Sequence, residues 1–188
     1  ETQVREMEIV FSSRSYIDVV FKNNISAKEI LENKIYSEHY PGCVRLEGRN
    51  VISKVKGFTE GLWWIQNFSS TLPVALLGGS LKDKNVLDVC SAPGSKTFQL
   101  LDRGAKVTSI DKSLPRMNIM KENMNRLGFN VNLVCEDVFN FKPIKKFDYI
   151  LLDPPCTSTG TLGKNPDLMF LDPFERLRNL IKIQEKLL

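Results

Sequence analysis

Residues 86–111 read VLDVCSAPGSKTFQLLDRGAKVTSID (Val86–Asp111), and the rhythm inside that stretch decides the class of fold. The largely apolar run Val86–Cys90 has the length and composition of a strand. Small residues and Pro93-Gly94 then make a turn. Gly94 to Leu101 is predicted as a helix, and Val107–Ile110 as a second strand that ends on Asp111. Strands that are apolar throughout, with a helix between them, describe a parallel sheet buried on both faces.

The same rhythm continues toward the C-terminus. Ser113 is predicted to cap a long helix through Leu127, which Gly128 stops. Asn132–Cys135 is a strand leading into Glu136-Asp137, and Tyr149–Leu152 is a strand leading into Asp153. Pro173–Leu188 is a helix. Repeated β–α alternation of this kind gives a doubly wound α/β fold. Toward the N-terminus, Ser69–Leu77 is a helix that runs into Gly78-Gly79. SYIDVVFKNN (Ser15–Asn24) is a strand and turn. SAKEILENK (Ser26–Lys34) places Glu29 three residues after Ser26, the capping-box spacing, and is predicted as a short helix. GCVRLEG (Gly42–Gly48) alternates as a strand, and residues 1–13 carry little pattern. The expected organisation is a small α+β subdomain over residues 1–55 followed by a Rossmann-like domain over 56–188. No repeat or low-complexity linker separates them.

Composition narrows the function. The chain has 188 residues, 42% hydrophobic and 26% charged, ordinary values for a globular protein. No apolar run approaches the roughly 20 residues that cross a bilayer, and no signal peptide is visible. The chain opens on Glu1 rather than Met, so it is expected to be part of a longer product. A formal net charge of +4 permits a polyanionic partner without requiring one. Cys43, Cys90, Cys135 and Cys156 are too widely spaced for a zinc cluster, and His39 is the only histidine. No metal is expected, and free thiols suit a reducing, cytoplasmic setting.

Open parallel sheets bind ligands at the carboxyl ends of their strands. Here those ends carry the turn Cys90–Lys96, then Asp111, Asp137 and Asp153. Gly94 allows close backbone approach, and the following helix N-terminus offers N–H groups to an anion. Asp111 lies at about the spacing of an acid that accepts ribose hydroxyls. Asp137 sits where an adenine amine could donate to it. The set describes a nucleoside-containing cofactor. The turn lacks the three glycines that accommodate a pyrophosphate, so a nucleoside bearing a carboxylate, S-adenosyl-L-methionine, suits it better than NAD.

The motifs also resemble a known family. DVCSAPGSKT (Asp88–Thr97) resembles the D-x-C-A-A-P-G-G-K-T motif of RNA cytosine-5 methyltransferases. LLDPPCTSTGTLGKNPD (Leu151–Asp167) resembles their D-[AP]-P-C-S-x-T-G-x-x-R-x-x-P-D block, and GLWWIQNFSS (Gly61–Ser70) their G-x-x-x-V-Q-D-x-S segment. The nearest subgroup is the RsmB (Sun/Fmu) type, which methylates a cytosine of small-subunit ribosomal RNA. The resemblance implies a class I methyltransferase fold, expected to be incomplete at its C-terminus here, and S-adenosyl-L-methionine as cofactor. It implies cofactor contacts from Cys90, Ser91, Ala92, Pro93, Gly94, Ser95 and Lys96, with Asp111, Asp137 and Asp153. Ser91 and Ser95 stand for the usual Ala and Gly, and Lys164 for the commoner Arg. RNA, ribosomal in particular, is the expected partner of a monomeric protein with no membrane association. The rival readings are a transfer-RNA methyltransferase and a non-catalytic protein that binds cofactor or RNA.

Carbon 5 of cytosine is too weak a nucleophile to take a methyl group unaided. A thiolate that adds at C6 makes C5 enamine-like, which is covalent catalysis by cysteine. The family divides the work between two cysteines. By resemblance Cys156 is the thiol that assists product release, and Cys156 and Asp153 are the catalytic residues. The attacking thiol is expected in a Thr-Cys motif beyond Leu188. Packing remains the alternative for Cys156. Cys43 and Cys135 are expected to be core thiols and His39 a surface residue. Trp63 and Trp64 are expected to pack rather than stack on RNA. Lys22, Lys54 and Lys56 either touch phosphate or form a solvated face.

Overall fold

The computed structural model describes residues 2–12, 16–23, 25–31, 36–40, 42–47, 51–162, 165–170 and 173–188. It divides into two compact units. One runs Ile17–Asp153; the other joins the chain's first residues to Pro154–Leu188.

The second of these units is helical among its described residues. It holds α1 (Thr2–Ser12), two 3-10 turns (Thr159–Thr161 and Pro166–Phe170) and α6 (Pro173–Leu187). Among the described residues no helix is long and apolar enough to cross a membrane.

The larger unit opens with β1 (Ile17–Phe21), α2 (Ala27–Ile30), β2 (Tyr36–Tyr40), β3 (Cys43–Leu46) and β4 (Trp63–Ile65). These strands form an antiparallel sheet in the order β2-β3-β1-β4. Successive side chains of β1 point to opposite faces, and both faces are covered. Val19 and Phe21 pack with Val44, Leu46 and Trp63 on one side. Val20 packs with Cys43 and Trp64 on the other, in one core with Phe98, Met120 and Leu127 of the helices that follow. That double burial explains the uninterrupted Val-Val-Phe run. The boundary expected at residue 55 falls ahead of β4, the fourth strand of this sheet. Ser26 precedes α2 but makes no side-chain cap bond, so the predicted capping box does not form.

The parallel sheet follows. After α3 (Phe68–Ala75) come β5 (Asn85–Val89), α4 (Ser95–Asp102), β6 (Lys106–Asp111), α5 (Leu114–Leu127), β7 (Asn132–Cys135) and β8 (Tyr149–Leu152). The strand order is β7-β6-β5-β8, every pair parallel. The chain steps outward from β5 to β7, then returns to the other side of β5. Strand order therefore reverses between β5 and β8, the switch point where doubly wound sheets bind ligands. Gly128 ends α5 at φ +67, as the sequence predicts.

Two sets of polar contacts join the sheets. The Trp64 indole donates to Gln66 Oε1 at 2.8 Å; the Gln66 amide donates to Gln99 Oε1 at 3.0 Å and to the Ser70 carbonyl at 3.1 Å; Gln99 donates to the Thr71 carbonyl at 3.1 Å. Both glutamines are buried and their amides are bonded at both ends. Arg126 of α5 lies over the Phe58 ring at 4.0 Å and donates to the Phe58 and Trp63 carbonyls. Gly61 permits that approach: its φ is +67, and a Cβ there would stand 1.9 Å from the Arg126 carbonyl oxygen.

Candidate active site

Strand register brings the carboxyl-edge residues to one level. Val89 pairs with Ile110 and Leu152, and Asp111 pairs with Cys135. Asp111 accordingly closes β6, while Cys90, Asp137 and Asp153 follow the ends of the three neighbouring strands, as the sequence predicts.

The turn after β5 is tightly made. Cys90 has φ +59, the Ala92-Pro93 peptide is cis, and Gly94 has φ +106. A Cβ on Gly94 would stand 2.7 Å from both Met120 Cγ and the Phe98 ring, so only glycine fits between the turn and the core. The Gly94 carbonyl accepts the Phe98 N–H at 2.8 Å, the first bond of α4. The N–H groups of the residues just ahead of Phe98 are those a helix leaves free for an anion. Ser91 is buried and bonds the Ile110 carbonyl through both its N–H and its hydroxyl. Burial foremost, then the Asp111 and Asp153 carboxylates, push the Cys90 thiol above its ordinary range. It is a shape-giving residue of the turn rather than an activated thiolate.

Asp111 is buried and ties the turn to β6. Its Oδ2 accepts the Ala92 N–H at 3.1 Å and its Oδ1 the Ser113 N–H at 2.9 Å. Arg116 lies 3.5 Å from Oδ2 and also donates to the Ala92 carbonyl. A carboxylate offers about four lone-pair sites, so capacity remains for hydroxyl donors. Asp137 is half-buried, its Oδ1 accepting the Phe139 N–H at 3.2 Å. Asp153 is exposed and pairs with Lys96 at 2.8 Å across the β5–β8 switch point.

The residues that the sequence reading missed lie behind the turn. Asp88 is fully buried on β5. Its Oδ2 accepts the Thr97 hydroxyl at 2.5 Å, and that hydroxyl is 3.0 Å from Ser109 Oγ. Asp88 Oδ1 has no partner among the described residues. Burial pushes its carboxyl up to about 7, against a smaller lowering by the Thr97 bond. Arg116 was also overlooked; its place in the first turn of the helix after Ser113 was the available signal.

Cys156 belongs to the other unit. It is exposed, its Sγ is 3.9 Å from Ser158 Oγ, and Ser158 adopts φ +60. Gln184 of α6 donates to the neighbouring Pro155 carbonyl at 2.8 Å. Cys43 is buried as expected, whereas Cys135 is exposed: it sits at the last position of an edge strand, where β7 has a neighbour on one side only. Trp63 and Trp64 are buried and pack. Lys22 is turned inward, donating to the Leu127 carbonyl and lying 5.0 Å from the Phe129 ring centre, while Lys54 and Lys56 are exposed. The side chain of His39 lies outside the described residues.

Comparison with known proteins bears on this site. Residues 76–188 match the family model of the 16S rRNA methyltransferase RsmB/F. The chain is 32% identical to the ribosomal RNA small subunit methyltransferase B of Proteus mirabilis, over 98% of this chain and 43% of that protein. It thus spans less than half the length of that relative. The solved structure of PH0851 superposes with a TM-score of 0.83 at 25% identity, over 97% of this chain and 45% of that one. NSun6 from Pyrococcus horikoshii, solved with SFG, superposes with a TM-score of 0.77 over 97% of this chain and 73% of that one; at 19% identity that likeness speaks to the fold. More than half of the chain, including the whole turn after β5 and all three strand-end acids, falls within the matched residues, and the chain belongs to the 16S rRNA methyltransferase RsmB/F family.

Proposed function

We propose that the protein transfers the methyl group of S-adenosyl-L-methionine to carbon 5 of a cytosine in RNA, with small-subunit ribosomal RNA as the substrate. The observation that carries the reading is the turn of residues 90–96 with Asp111 beside it, at the switch point of a parallel sheet. Those residues fit the cofactor. Gly94 lets the turn lie flat against the Met120 and Phe98 side chains of the core, the start of α4 suits a carboxylate, and Asp111 keeps acceptor capacity for ribose hydroxyls. Asp137 suits the adenine amine. Lys96 and Asp153 stand as a charged pair at the reacting end. When bound, the cofactor supplies an electrophilic methyl group on a sulfonium.

The protein's part is to hold the base and to provide thiol chemistry. The cytosine must leave its stack to enter the pocket. A thiolate bonds to C6 and places the electron pair on C5, which would take the methyl group as its bond to the sulfonium sulfur breaks and that sulfur keeps the pair as a thioether. Loss of the C5 proton then expels the thiol and restores the ring. None of the four cysteines follows a threonine, so the attacking thiol belongs to a Thr-Cys motif that these residues do not contain. Cys156 serves release, and Asp153 completes the catalytic pair. The same reading has the antiparallel sheet, which runs on through β4 rather than ending at residue 55, as a small RNA-facing subdomain ahead of the Rossmann-like sheet, in a monomeric cytoplasmic protein.

The test is methylation by the full-length protein of small-subunit ribosomal RNA, with transfer RNA alongside and the cofactor labelled in its methyl group. Digestion and mass spectrometry should find the label as 5-methylcytosine in the ribosomal RNA. Label in transfer RNA only would transfer the assignment to the rival substrate. Cofactor binding with no methylated base would make the protein non-catalytic.

A further inference from the structure

We propose that the amino edge of the parallel sheet, opposite the cofactor turn, is a second RNA-binding surface that grips the phosphate backbone of the substrate. The proposal rests on the reading of the substrate as RNA. Strands of five residues separate the two edges by about 17 Å. The amino edge is built from the turn before β5, the start of β6 and the turn before β8. Leu81 is buried and anchors the first turn, and Asp83 adopts φ +64 at its tip, which leaves Lys82 and Lys84 exposed on either side. The Lys106 N–H donates to the Lys84 carbonyl at 2.8 Å, so β6 starts directly beside them. Lys145 reaches the Asn85 side chain at 2.8 Å, and Asp148 accepts the Asn85 N–H at 2.7 Å, which draws the Lys145-Lys146 turn onto the same edge.

Five lysines therefore gather around Asn85 and face two carboxylates, Asp83 and Asp148. The local excess is three positive charges, against a formal net charge of +4 for the whole chain. Among the described residues only Lys106 forms an ion pair there, with Asp83 at 2.9 Å. Ile144, next to Lys145, is fully exposed. An apolar tip among lysines is the pairing with which nucleic-acid proteins meet a groove: cations on the phosphates and an aliphatic wedge toward the bases. A target base held at the carboxyl edge leaves flanking RNA free to pass along the side of the sheet to this surface.

The experiment compares the full-length protein with its Lys82→Ala/Lys84→Ala/Lys146→Ala variant in binding and methylating a small-subunit ribosomal RNA fragment over a range of salt. Three lost phosphate contacts should reduce the slope of log affinity against log salt by about 2 to 3. Affinity at 0.1 M salt should fall about tenfold or more, with cofactor affinity and melting temperature unchanged. A Lys→Arg version at the same three positions should bind like the parent, and Lys28→Ala/Lys121→Ala, on α2 and α5, should change the slope little. An unchanged slope in the first variant, with the parent still methylating RNA, overturns the surface, whether or not a protein is then found to occupy it. An equal loss in the control variant also overturns it. A parent that neither binds nor methylates RNA sinks the substrate reading itself.

Discussion

Asp88→Asn should make the protein more stable at neutral and alkaline pH while leaving it little changed in acid. The Asp88 side chain is fully buried, one of its oxygens lacks a partner among the described residues, and burial holds its carboxyl at about 7 against an ordinary value of 3.8. Below that ordinary value the group is protonated in both folded and unfolded chains and contributes no penalty. Between 3.8 and about 7 the unfolded chain releases the proton and the folded chain keeps it, so stability falls as pH rises. Each pH unit costs about 1.4 kcal/mol, and the full loss by pH 8 is on the order of 4 kcal/mol. Asparagine fills the same space, keeps an acceptor for the Thr97 hydroxyl and does not ionise. Urea unfolding of both proteins at pH 5, 6, 7 and 8, followed by the fluorescence of buried Trp63 and Trp64, gives the difference free of other titrations. That difference should grow in favour of the variant by on the order of 3 kcal/mol across the series and level off near pH 7. A difference that stays flat from pH 5 to 8 would refute the claim that Asp88 folds in its protonated form.

Four further outcomes follow from the site and its supports. Asp111→Ala should weaken cofactor binding by about tenfold or more in calorimetry, since at least one charge-assisted bond of roughly 1.5–3 kcal/mol is lost; unchanged affinity would remove Asp111 from the cofactor site. Gly94→Ala should lower the urea midpoint, because φ +106 and a Cβ contact of 2.7 Å strain the turn together, at a cost of about 1–3 kcal/mol. Cys156→Ala in the full-length protein should accumulate a protein–RNA adduct that survives denaturing electrophoresis and forms only with S-adenosyl-L-methionine. Absence of any adduct would make Cys156 the attacking thiol, and normal turnover would make it packing. Gln99→Leu should destabilise by about 1–3 kcal/mol, because a Gln66 N–H is left buried without its acceptor; a neutral melting curve would contradict the bonding described.

What the sequence made legible was whatever local pattern controls. The four parallel strands, the long helix stopped by Gly128 and the acids after each strand were all readable, because short runs rich in Val, Leu and Ile recur between helix and turn signals. Trp63–Ile65 was not readable as a strand. Its three residues become β4 only by pairing with Val19–Phe21, far earlier in the chain, and no short-range signal encodes that partner. Thr2–Ser12 has no acidic residue in its first turn to mark its start. Ser26 shows the converse: the capping spacing was present, yet α2 forms without that bond. The strand-end acids were visible as a set, while Asp88 was not distinguishable from them. Its character comes from Thr97 and Ser109, which stand on two other elements and meet it only in the folded core.

The glutamine chain from Trp64 to Thr71 has a dynamic consequence. Opening α4 away from the antiparallel sheet would break the Gln66–Gln99 bond and leave Gln99 Oε1 and one Gln66 N–H without their partners, so the two elements are expected to open together. Amide protons of β4 and of α4 should therefore exchange with solvent as one cooperative unit, at a common free energy near that of global unfolding.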